Sequence, residues 1–129
     1  MIASLDTNAV LSLILSDRPK EQVAVTSILS NHKLHIADMV FTEIEFALSK
    51  QYKFSRVEIA ANFRMLTSHE NIQCNKTLFN RVLPLYELRP ALSFVDCCLV
   101  HYADINDALP LYTFDKKLVN QSNGLAKAI

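Results

Sequence analysis

The sequence has little of what loosens or cross-links a chain. A single glycine, Gly124, and four prolines occur among 129 residues. That excludes glycine-rich phosphate loops and long flexible linkers. An excess of charge is also missing, since 13 basic residues balance 13 acidic ones. Charge therefore does not advertise a nucleic-acid binder, and any such role must rest on a local site. Cysteine is scarce. Cys74, Cys97 and Cys98 form no C-x-x-C pattern and cannot all pair, so they read as buried thiols in a reducing cytosol. The adjacency of Cys97 and Cys98 is not by itself a metal site. The apolar run at residues 10–15 is far too short to span a bilayer. The opening residues have no basic stretch before their apolar run, and Asp6 interrupts it, so they do not read as a signal peptide. These features point to a cytoplasmic protein with no membrane association.

What is present is a chain of ordinary single-domain length in which half the residues are apolar, enough to bury a real core. No internal repeat, low-complexity segment or boundary divides it, so residues 1–129 are expected to form one domain. Residues 2–5 are mostly apolar and precede Asp6-Thr7-Asn8, which predicts a buried strand followed by a polar turn. Short helices are expected over 9–15 and from Pro19 to about 29. A strand follows at 34–36, then a helix N-capped by Asp38 and running to about Lys50. A helix over 55–66, a strand over 72–74 and a helix over 76–88 come next. Pro90 breaks the chain, and Ser93 opens a helix to about 103. A strand at 111–114 ends at Asp115, a short helix follows, and the short tail to Ile129 leaves a final strand open. Short, unalternating apolar strands that alternate with helices predict a parallel sheet covered on both faces. Ligands of such sheets sit beyond the carboxyl ends of the strands. Asp6 and Asp115 both follow a predicted strand there.

Four acids stand out, and each has a plain structural explanation beside the chemical one. Asp6 and Asp115 sit where a helix N-cap is needed. Asp96 lies three residues after Ser93, the spacing of a capping box. On a helical wheel at about 100° per residue, Glu43 falls between Met39, Phe46 and Ala47, inside an apolar arc. Glu45 falls near Thr42 and Ser49. A buried acid is costly unless paired, protonated or bound to a cation, so Glu43 is either salt-bridged to a buried base or a ligand. Asp96 shares a face with Leu99, Val100 and Ala103 and is likewise expected to point inward. Asp104 and Asp107 read as solvated. Gathered carboxylates without thiolates or imidazoles suit a hard cation, magnesium or manganese. Such ions promote phosphodiester hydrolysis.

These residues resemble those of the PIN-domain ribonucleases. The likeness rests on four motifs in order: the opening strand with Asp6-Thr7-Asn8; the helix Met39-Val-Phe-Thr-Glu-Ile-Glu-Phe-Ala-Leu48; Ser93-Phe-Val-Asp96; and Leu111-Tyr-Thr-Phe-Asp115-Lys-Lys. Together they cover nearly the whole chain. A free-standing domain of this size is similar to the toxins of VapBC-type toxin–antitoxin pairs. The resemblance implies a three-layer α/β/α Rossmann-like fold with a short, mostly parallel sheet. It implies an endoribonuclease in which Asp6, Glu43, Asp96 and Asp115 hold Mg2+ or Mn2+ and activate water by holding the cation rather than as nucleophiles. It makes Asn8 and Thr113 supporting residues, with Thr113 orienting a carboxylate or water. It further implies a homodimer and a cognate antitoxin that blocks the acidic pocket. The Cys97-Cys98 pair departs from the small residues common after the third acid, but it removes no ligand. Glu45 stays open as a substitute for Glu43.

Other candidates weigh less. Lys50, Lys53 and Arg56 interleave with Tyr52 and Phe54, a pattern that can hold single-stranded RNA, although a solvated connection with tucked aromatics explains it better. Lys116 and Lys117, beside the fourth acid, are better placed for phosphate contact, or are exposed first-turn residues. His32, His35, His69 and His101 lack ligand spacing and read as non-catalytic. A signalling receiver domain has similar length and alternation, but it needs an aspartate ending a mid-chain strand. No aspartate lies between Met39 and Val95. A PIN nuclease of RNA processing and a non-cutting PIN scaffold remain as alternatives to the toxin.

Overall fold

The computed structural model describes residues 2–129 as a mixed α/β chain with two compact units that divide between Lys76 and Thr77. In the first unit, β1 (Ile2–Ser4), β2 (Lys33–His35) and β3 (Ile72–Gln73) form a parallel sheet in the order β1-β2-β3. Ile2, Ala3 and Ser4 pair with Lys33, Leu34 and His35. Helices α1 (Thr7–Ile14), α2 (Pro19–Asn31), α3 (Asp38–Lys50) and α4 (Arg56–Ser68) complete it. The parallel sheet and its crossover helices are those of the Rossmann-like class expected.

Within the central strand only Leu34 is buried, Lys33 and His35 being exposed. Leu34 and the adjoining Ile36 are inaccessible, and their amides bond to Asn71 and Gln73 carbonyls at 2.8 and 2.9 Å. The expectation that β1 is buried is corrected. Its three residues are exposed, and Ile2 retains 57% of its accessible surface. As the edge of the three-stranded sheet, β1 has a strand neighbour on one side only, and the apolar anchor falls one residue later, at the buried Leu5.

Helix starts follow local chemistry. Pro19 occupies the first position of α2, where its missing N–H costs nothing. Ser55 and Glu58 form a reciprocal capping box at α4. Ala37, not Asp38, is the N-cap of α3. The Asp38 carboxylate instead accepts a hydrogen bond from the Asn75 side chain at 3.2 Å, so it serves a tertiary contact from the first turn. The core of this unit includes Phe41, Ile44 and Leu48 of α3 and Ile59 and Phe63 of α4, with Phe41 and Phe63 meeting edge to face at 5.1 Å.

The second unit contains α5 (Lys76–Leu88, which opens on the last residue of the first unit), α6 (Phe94–Ile105), β4 (Leu111–Thr113), α7 (Lys116–Gln121) and β5 (Ala126–Ala128). β4 and β5 are parallel, with Leu111 opposite Ala126, so the tail does form a final strand. Asn123 and Gly124, both at positive φ, turn the chain from α7 into β5. Phe94 is the aromatic centre, stacked on Phe79 at 6.2 Å and edge-on to Tyr86 at 5.3 Å. Cys97 and Cys98 are buried and Cys74 is only half-buried, and none of them is in a disulfide. Among the described residues no helix is long and apolar enough to cross a membrane.

Phe63→Ala is expected to destabilise by about 3–5 kcal/mol, seen as a lower urea midpoint. Glu58 gives a pH signature. The Ser55 amide and then the Ser55 hydroxyl lower its pKa from 4.5. Its contribution is therefore present above that value and lost as pH falls through the folded one. Glu58→Gln is expected to lower stability at neutral pH, to converge with the unsubstituted chain once Glu58 is protonated in acid, and so to flatten that part of the acid denaturation profile.

Candidate active site

Asp6 leaves the β1 strand and N-caps α1, its Oδ1 accepting the Ala9 amide at 2.9 Å. The next residue, Thr7, is the first of α1 and donates its hydroxyl to Glu43 Oε2 at 3.1 Å. One turn of chain therefore ties the first acid to the second. Asn8 is exposed beside them and lines a cavity of about 510 Å³ with Arg18 and Glu21.

Glu43 corrects the sequence reading in one respect. Its neighbours on the wheel are those expected, but that arc is not the buried one. Met39 and Phe46 are 75% and 60% exposed, and Glu43 is exposed with them. The core face of α3 is the opposite arc of Phe41, Ile44 and Leu48. Two apolar arcs share this helix, and the wheel alone does not say which one faces the core. The salt-bridge explanation also fails, since no base pairs with Glu43 among the described residues. Glu45 is half-buried on the far side of the helix, and Thr7 bonds to Glu43.

In the second unit, Asp96 is the third residue of α6 and is half-buried. Its amide donates to Ser93 Oγ at 3.0 Å, and its Oδ2 accepts the Ser93 amide at 3.4 Å. The capping box is real. Leu99, expected on an inward face with Asp96, is 45% exposed, so that face is a boundary rather than an interior. Asp115 is exposed and N-caps α7 through Oδ1 and the Lys117 amide at 2.9 Å. Thr113 Oγ1 accepts the Asp115 amide at 2.9 Å, which fixes the backbone of that acid. Lys116 and Lys117 are exposed in the first turn of α7.

Three of the four acids thus begin helices, where unpaired amides and the helix dipole favour negative charge. The fourth is held by a hydroxyl. Each carboxylate engages one oxygen in a hydrogen bond. None has a basic partner among the described residues. By contrast Asp104, expected to be solvated, pairs with Arg81 at 3.0 Å. Asp107 is exposed beyond α6.

The remaining candidates separate cleanly. Tyr52 accepts a hydrogen bond from Arg18 at 3.2 Å. Tyr52 and Phe54 are half-buried, while Lys50 and Lys53 are exposed. Burial pushes the Cys74 thiol above its usual range, which leaves it a protonated bystander at neutral pH. The sequence reading did not single out Thr7 or Arg18. The signal for Thr7 was its place in the turn between Asp6 and the first helix.

A parallel sheet whose strands hand over to helices at acidic turns places this chain among the Rossmann-like α/β proteins. The chain matches the PIN domain over residues 3–122 and belongs to the PIN-domain family. PIN domains are typically nucleases that use divalent metal ions. No curated protein matches the chain.

The donor set suits Mg2+ or Mn2+ in kind, being all carboxylate oxygen. Two of the acids lie in each unit. No group of three or more His, Cys, Asp or Glu is assembled as a metal holder among the described residues.

Cation binding is expected to stabilise the folded chain. At tenfold excess over Kd it adds about 1.4 kcal/mol, a rise of several degrees in Tm with Mg2+ or Mn2+. An unchanged Tm in calorimetry across millimolar titrations counts against metal binding.

Proposed function

We propose that the protein is an Mg2+- or Mn2+-dependent endoribonuclease in which Asp6, Glu43, Asp96 and Asp115 are the metal-holding acids. The observation that carries this reading is that all four motif acids are positioned by hydrogen bonds yet lack a base to neutralise them. Asp104, by contrast, is paired with Arg81. A bound divalent cation supplies an activated water and a counter-charge for the phosphoryl oxygens.

The chain's own residues have definable tasks. Thr7 holds Glu43 Oε2, which leaves Oε1 as a ligand atom. Asp6 and Asp115 each anchor one oxygen on a helix amide and present the other. Thr113 sets the backbone of Asp115. Asn8 supports the first acid from the adjacent helical turn. Lys116 and Lys117 meet backbone phosphates of the RNA beside Asp115.

The motif order and the chain's size support the narrower reading as well. This is the toxin of a toxin–antitoxin pair, acting in the cytoplasm as a homodimer and held inactive by a cognate antitoxin that covers the acidic residues. One domain over residues 1–129 is part of that proposal, since the family match runs through both units.

Purified protein is expected to cut a mixed cellular RNA pool into discrete fragments with Mg2+ or Mn2+, and not with chelator. Asp6→Asn and Glu43→Gln are expected to lower the rate by about a hundredfold or more. Thr7→Val, which only frees Glu43, is expected to cost about 10–100-fold. Metal-independent cleavage, or full activity in Glu43→Gln, overturns the assignment. Growth arrest on expression that is lost in Glu43→Gln tests the toxin role.

A further inference from the structure

The second unit contains a cavity that the carboxylate chemistry does not use, its lining mostly apolar with a few polar groups on the wall. It has a volume of about 190 Å³ and is bordered by Arg81, Arg89, His101 and Ser122, with Leu85 and Leu88 among its apolar walls. His101 Nδ1 is buried and has no hydrogen-bond partner among the described residues. A buried, unpartnered ring nitrogen costs free energy unless something supplies the missing bond.

The other polar groups of the wall can all donate. Ser122 is fully buried, and its Oγ accepts the Ala126 amide at 3.0 Å, which leaves the hydroxyl hydrogen to donate. Arg81 is oriented by Asp104 through Nη1 at 3.0 Å. Arg89 directs Nη2 at Asn123 Oδ1 at 3.4 Å. A guanidinium carries five N–H donors, so Asp104 does not exhaust Arg81, and Arg89 has donors beyond the Nη2 directed at Asn123, although it makes a further interaction besides. Neutral His101 can place its proton on Nδ1. Burial first, and then Arg81, lower the His101 pKa, while Asp104 acts in the opposite sense.

A bridging water is the simplest occupant to weigh. A water takes up about 30 Å³, and this cavity is about six times larger. It is smaller than the roughly 300 Å³ at which small-molecule pockets begin, so it does not enclose a whole nucleotide. Two guanidiniums, an imidazole N–H and a hydroxyl suit a tetrahedral oxyanion with several acceptor oxygens better than a two-oxygen carboxylate. We propose that the Arg81–Arg89–His101–Ser122 cavity binds a phosphate group.

This site differs from the candidate active site. Asp115 starts α7, whereas Ser122 closes its other end, about 9 Å along a six-residue helix. The phosphate comes either free from solution or as the terminal group of an RNA strand.

The test is a titration of the full chain, followed through the His101 imidazole by NMR at constant ionic strength. Three probes are compared, namely inorganic phosphate, a short RNA with a terminal phosphate, and the same RNA without it. Saturable His101 shifts with inorganic phosphate, with sodium chloride inert, are the expected result. A response to the phosphorylated RNA but not to inorganic phosphate keeps the site and identifies a strand end as its source. Arg89→Gln is expected to weaken binding about tenfold or more, and Lys20→Gln, on α2, to leave it unchanged. No His101 response to either phosphate probe overturns the proposal and leaves the cavity to water. Equal shifts with unphosphorylated RNA, or equal weakening by Lys20→Gln, also overturn it.

Discussion

The structure depends on how an acid is held where a strand hands over to a helix. At that junction the strand has fixed the backbone on one side, and the helix offers unpaired amides on the other. Asp6 and Asp115 both use it, each accepting an amide of the helix it starts. Asp96 reaches the same state from the third position of α6. The bond that makes each residue a cap also fixes its carboxylate in space. The plain structural reading and the chemical one are therefore not rivals here. Capping fixes the carboxylate in space, which is what the proposed ligand role requires.

Much of this was legible in the sequence because the governing signals are local. Pro19, Ser55 and Ser93 mark helix starts by chemistry that needs no tertiary context. The strand-then-acid pattern located Asp6 and Asp115. What escaped depends on neighbours distant in sequence. The exposure of β1 depends on what covers the faces of the sheet, which a short run of sequence does not reveal. Ala37 displaced Asp38 from the cap because Asp38 is engaged by Asn75, 37 residues away. The role of Thr7 needed α1 and α3 to be adjacent, since its partner lies 36 residues on.

Glu43 shows how a correct pattern can carry a wrong inference. The arc of Met39, Glu43 and Phe46 is apolar in composition but faces outward. Periodicity identifies faces and does not rank them. The case for Glu43 as a functional acid now rests on its tether to Thr7 and the absence of a base beside it among the described residues, not on the cost of burial. The division into units adds that each half of the chain supplies two of the four acids, so a fragment of either half lacks two of the four proposed ligands.

The turn at Asn123 and Gly124 carries a different lesson. Gly124 sits at φ +84°, yet a Cβ added there would meet nothing within 4 Å. Space is thus irrelevant at the chain's one glycine. The constraint is chirality, because an L side chain in this backbone region crowds its own carbonyl whatever surrounds it. The parallel pairing of β5 with β4 follows this turn. A mirror-image alanine, unlike its natural counterpart, would suit it as well as glycine does.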